Sequence, residues 1–206
     1  EAKLKPAKSL SFPAGYPLLK RSSNQLMLDE LAALVNDVSR KDLSQPLSTE
    51  EEFVRRFEDR LYGIDHRAQA EFLYDSTLRL ISKGGNLPAE LVYLHLRTVL
   101  YHVWDLMDER NWNKKADEQI STILQRTVNL ISRRPVKSSL ECYAVSGIEN
   151  LMSKHFENQK NVSAGYRHMS SSVLYSMQAV RLAPANAHYL RNLFIHLNNL
   201  RYAPDS

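Results

Sequence analysis

The residues of this chain best suited to metal chemistry lie close together: His95, His102, Asp105, Asp108 and Glu109. His95 and His102 are seven positions apart. On a helix they share a face but stand on the order of 10 Å from each other, so one metal would need further side chains from elsewhere. His102 with Asp105 at i+3 is a workable half-site. The competing reading, a core histidine followed by a carboxylate-rich helix end, is the one favoured here, and no metal or cofactor is expected. None of the seven histidines has Asp or Glu three residues before it, so the paired ExxH of di-iron bundles is missing. The nucleotide, hydride-transfer, zinc-protease and serine-hydrolase motifs are also missing, and Gly84-Gly85 is too short for a phosphate-cradling loop. Cys142 stands beside Tyr143 and Ala144 and reads as a small buried hydrophobe rather than a nucleophile. No catalytic residue is assigned.

A second constellation is cationic: Arg133 and Arg134, with Lys114, Lys115, Arg126 and Lys137. RNA or an acidic partner could use it, although helix ends also gather Arg for dipole reasons alone. The net charge of +4 hides an uneven distribution. Residues 1–23 balance to +4, residues 24–109 to −7 and residues 110–206 to +7. Such a dipole can orient a partner or a second copy of the chain. As a nucleic-acid footprint it is poor, because that needs cations clustered on one face.

The elements that must position these residues are helices. With six glycines in 206 residues and much Leu, Glu, Arg and Gln, the composition favours helix over sheet. Residues 1–23 hold three prolines and no helical period, and read as an extended or partly disordered arm preceding one all-helical domain over 24–206. Eight helices are expected. The first covers about 24–39, with Leu28, Leu31, Leu34, Val35 and Val38 inward. The second follows a Ser48–Glu51 capping box and buries Phe53, Val54, Phe57 and Leu61. The third, between Asp65 and Gly84, buries Ala68, Phe72, Leu73 and Leu80. Pro88 opens the most apolar segment, ending near Glu109, which should be the central helix, with Leu94, Leu100, Val103 and Leu106 in the core. Helices over about 114–132, 138–156, 164–182 and 186–200 complete the set.

Pro46, Pro88, Pro135 and Pro184 stand at or before helix starts, 42, 47 and 49 residues apart with two helices between each pair. That spacing is expected of helical hairpins stacked as a short α-solenoid. The stretch AVRLAPANAHYLRNL, residues 179–193, resembles the junction between tetratricopeptide repeats. In that comparison Ala179 is the small residue of a second helix and Pro184 the turn proline. Leu190 takes the place of the first-helix Trp, and Leu193 that of the family's Leu. The chain departs from the pattern at Phe194, where the family has a small residue, at Ser172, where it has Ala, and at Ser176, where it has a large apolar residue. The resemblance covers about one repeat of 34 residues. It implies that the last helix lines a concave surface, with Asn192 at the carboxylate-gripping position and His188, Arg191 and Asn199 beside it.

These features imply a helical-repeat module that binds a peptide or protein segment and belongs to a larger protein, a binding role rather than catalysis. One alternative is a metal-dependent helical enzyme or sensor around His102 and Asp105. The other is a nucleic-acid binder using the basic second half. No apolar run reaches the ~20 residues of a membrane span. A single cysteine suits the cytoplasm, which is the compartment expected, and equally a periplasmic fragment.

Overall fold

The computed structural model describes residues 49–62, 66–83, 87–109 and 114–201. These form seven helices and no strand: α1 (Thr49–Tyr62), α2 (His66–Ser82), α3 (Ala89–Glu109), α4 (Lys114–Ser132), α5 (Ser139–Asn158), α6 (Val162–Leu182) and α7 (Ala187–Arg201). The N-terminal arm and the helix expected over 24–39 lie outside the described residues, as do Ser48 and the side chains of Leu61 and Ala68. Among the described residues no helix is long and apolar enough to cross a membrane.

Local chemistry sets the helix limits. Ser138 caps α5: its Oγ accepts from Glu141 N–H at 3.1 Å, while Glu141 Oε2 accepts from Ser138 N–H at 3.1 Å, a reciprocal box. At the other end of α5, Lys160 takes φ 61°, Lys160 N–H bonds Glu157 O and Asn161 N–H bonds Phe156 O, the left-handed stop that frees the chain to reverse. Asn161 then caps α6 by accepting from Ala164 N–H at 3.2 Å. After Pro184, Asn186 Oδ1 accepts from His188 N–H at 3.0 Å and starts α7.

Sequential neighbours pack as α2–α3, α3–α4, α5–α6 and α6–α7, and the contact of α3 with α5 joins the two sets. The first described helix also reaches the last: α1 touches both α2 and α7. The central helix is α5, in which all but three residues are buried, and not α3 as the apolar pattern predicts. Its sequence, SLECYAVSGIENLMSKHFEN, is too polar to read as a core helix. Burial is possible because neighbouring helices supply hydrogen-bond partners to its Ser, Glu and Asn side chains, as detailed below. In α3, Leu100, Val103 and Leu106 are in the core, while Leu94 is only partly buried. On α2 the expected inward positions Phe72 and Leu80 face solvent instead, 70% and 47% exposed. The buried positions of that helix are Ala70, Tyr74 and Thr77.

Candidate functional site

The interior of the domain is occupied by a charge cluster that joins three helices. Glu58 of α1 and Arg97 of α3, both at least 95% buried, form a two-pronged ion pair, Nε–Oε1 2.7 Å and Nη2–Oε2 2.8 Å. Tyr93 OH donates to Glu58 Oε1 at 3.0 Å, and Tyr101 OH donates to Oε2 at 2.8 Å. The guanidinium carbon sits 4.8 Å from the centre of the Tyr143 ring of α5, a cation–π contact. Gly147 leaves the room for this: a Cβ there would come within 3.1 Å of Arg97 Nη1. Burial works to raise the Glu58 carboxyl, but the Arg97 charge and the hydrogen-bond donors around it outweigh burial and hold it below the usual carboxylate range. Burial and the neighbouring Glu58 charge push the Tyr93 phenol far above its ordinary value. Glu58 and Arg97 are paired and buried, and the cluster fastens α1 to α3 and α5. Glu50 and Glu51 extend the fastening. Glu50 Oε1 accepts from Ser139 Oγ at 2.5 Å and Tyr189 OH at 2.7 Å, and Glu51 Oε1 accepts from Ala187 N–H at 3.3 Å.

His95, His155, His168 and His196 are buried, whereas His102 and His188 are half-buried. His95 Nδ1 lies 2.9 Å from Thr77 Oγ1, and burial pushes the ring down to about 4. His102 does not share a ligand position with it: both rings stack on Tyr74, centroids 5.7 and 5.2 Å away. Among the described residues no three His, Cys, Asp or Glu side chains gather at metal-binding range. His168 Nδ1 lies 2.7 Å from Glu149 Oε2, with the ring stacked on Phe156. Cys142 is buried, and burial pushes its thiol up to about 11, which leaves it a poor nucleophile.

The four side chains expected to form a partner-binding row on α7 do not share one surface. Asn192 is buried and donates to Ser146 Oγ at 2.8 Å and Ser176 Oγ at 3.2 Å. Asn199 Nδ2 lies 3.3 Å from Asn150 Oδ1 of α5. His188 is half-buried, and Arg191 is exposed. The departures at Ser172 and Ser176 belong to the same network. Ser176 Oγ bonds Ser172 O at 2.9 Å and lies 2.8 Å from His196 Nδ1. Burial pushes the His196 ring down to about 4, against the pull of Ser172 O and with help from Arg97. Phe194, where a repeat interface would need a small residue, is 65% exposed.

Among the described residues a cleft of about 950 Å³ opens between the C-terminal part of α2, the segment just before α3, the end of α4 and the α4–α5 junction. Ligand clefts run to about 300–1,000 Å³, so this one is large. Its apolar wall is Leu78, Ile81, Leu87 and Leu130. Arg126, Arg133, Arg134 and Lys137 line the rest, so four of the six cations grouped by sequence meet here. Lys115 is exposed near the opposite end of α4, and the Lys114 side chain lies outside the described residues. Arg134 is held in place: Nη1 donates to Leu87 O at 3.1 Å, and Nη2 pairs with Glu141. Glu141, the one carboxylate of the lining, is already engaged by Arg134 and by the N–H groups of Lys137 and Ser138, each 3.1 Å away. Burial works to raise its carboxyl, but these backbone N–H groups and Arg134 hold it below its ordinary value. Arg126, Arg133 and Lys137 are exposed. The sequence identified these cations but not their apolar wall, because Leu78, Ile81 and Leu87 are brought in from α2 and the segment just before α3. The chain matches no protein-family model, no curated protein and no solved structure.

Proposed function

We propose that this protein is an interaction module of stacked helical hairpins, a short solenoid with a tetratricopeptide-like α6–α7 junction, that binds a peptide or protein segment. The observation that carries the reading is the cleft, which sets four aliphatic residues beside four cations on well-packed helices. Apolar anchoring with a few fixed polar contacts is the usual composition of a recognition site. A catalytic reading lacks comparable support: Glu58, His95, His168, His196 and Cys142 are buried in the core, and His102 is half-buried against the Tyr74 ring. To test it, peptides would be selected from a random library on the intact chain and then titrated against Ser82→Trp. Ser82 is exposed and lines the cleft, so the indole fills the mouth without entering the core. Selected peptides are expected to lose at least roughly tenfold in affinity for Ser82→Trp. Undiminished binding would remove the cleft from the account.

A second reading keeps the partner on α7, as the repeat resemblance implies. What favours it is the exposed pair Phe194 and Ile195 beside Arg191. Phe194→Asp is the matching variant, and the same selected peptides discriminate the two surfaces.

A further inference from the structure

The cleft also constrains the chemistry of its occupant. Its one carboxylate is spent on Arg134 and the α5 cap, so the cations give it a net positive lining. Arg126, Asn129 and Leu130 are spaced i, i+3 and i+4 on α4, Arg133 follows in the turn just past its end, and all four line the cleft. They therefore place Leu130 between two guanidinium-bearing positions on one wall. Across the cleft stand Leu78 and Ile81 of α2. Among the described residues none that lines the cleft is aromatic, so the described lining offers no platform on which bases could stack.

We infer that the cleft binds an acidic amphipathic segment of a partner protein, with carboxylates on either side of an aliphatic side chain. The inference rests on the cleft being a peptide site. The aliphatic residue seats against Leu78, Ile81 and Leu130, and the carboxylates meet Arg126 and Arg133. Arginine suits them because its planar fork pairs with a carboxylate through two hydrogen bonds. Arg134, tied to Leu87 O and Glu141, holds the wall rather than the ligand.

Fluorescence anisotropy with the full chain tests this. The probes are a labelled peptide EEALLEEALLEE, its glutamine counterpart QQALLQQALLQQ, its lysine counterpart KKALLKKALLKK and a short single-stranded RNA. The acidic peptide should bind the parent, weaken as salt rises from about 50 to 300 mM, and lose at least roughly tenfold on Arg126→Glu/Arg133→Glu. The lysine peptide should gain on that same variant, a result that misfolding could not produce. If the glutamine peptide binds as well as the acidic one, is insensitive to the charge reversal and is lost in Ser82→Trp, the acidic class is wrong and the peptide site stands. If no peptide binds, both fail. RNA bound in place of peptide, and lost on charge reversal, would overturn both in favour of nucleic acid.

Discussion

Arg97→Met should destabilise the domain by about 3–5 kcal/mol, much of the ~5–15 kcal/mol that holds a typical domain folded, because it leaves the Glu58 carboxylate buried without a counter-charge. The ion pair is nine-tenths buried on both sides, and beside it the Phe53 and Phe57 rings of α1 each lie under 6 Å from the centre of Tyr93 of α3. Glu58→Met should be comparably harmful, since Arg97 would be stranded instead. The double variant Glu58→Met/Arg97→Met should recover more than half of either loss, with the remainder due to the unbonded Tyr93 hydroxyl, at about 1–3 kcal/mol. Urea midpoints of the four proteins give the coupling directly. Single losses that simply add in the double variant would mean that the two side chains do not act as a pair.

The second large effect is acid lability. His95 and His196 are both held down to about 4 in the fold, by burial first in each case. In the unfolded chain a histidine titrates near 6.5. The folded state therefore refuses protons that the unfolded state accepts, and stability present above about pH 6.5 is lost as the pH falls towards 4. At pH 5 the loss is on the order of 2 kcal/mol per histidine. Glu58, held below its ordinary range, adds a loss of the same sign that begins only as the pH falls to the ordinary carboxylate range, at the acid end of this window. Thermal melts from pH 7 to 4.5 should show a steep fall in the parent and a much shallower one in His95→Gln/His196→Gln. Equal slopes would show that neither ring is held neutral.

Both effects arise from polar burial, which is also where reading the sequence falls short. Helix limits are legible because prolines, Asn186 and Gly84 mark them locally, and α4 runs from Lys114 to Ser132 as its pattern predicts. Burial rank is not legible. The apolar α3 looks central and the polar α5 does not, yet α5 can be buried because Ser146 meets Asn192, Asn150 meets Asn199, Glu149 meets His168 and Glu141 meets Arg134. Each of these partners comes from another helix or from the preceding turn, except that Arg134 at seven residues' distance could have been guessed. Glu58 and Arg97 are 39 positions apart, and no spacing rule links them. One clue was available: Arg97 is a lone charge inside LVYLHLRTVL, and a cation in such a run requires a buried partner. The two α7 asparagines are hard to read for the converse reason. Asn192 and Asn199 look like surface amides in LRNLFIHLNNL but face the serine and asparagine side chains of α5 and α6.

The charge asymmetry along the chain is resolved in the same way. Part of the acidic first half is consumed internally, where Glu50 and Glu51 fasten α1 to α5 and α7 and Glu58 fastens it to α3. Among the described residues that line the cleft, Glu141 is the one carboxylate beside the cations at the α4–α5 junction. An internal anchor thus absorbs carboxylates on one side of the domain while an open cleft keeps its positive lining on another.

The most direct test of that division is amide hydrogen exchange of the full chain with and without EEALLEEALLEE. The account predicts slowed exchange confined to the cleft walls, in residues 78–82 and 126–137, with α7 unchanged. Protection over residues 187–201 with none at the cleft would contradict it and move the binding surface to the last helix.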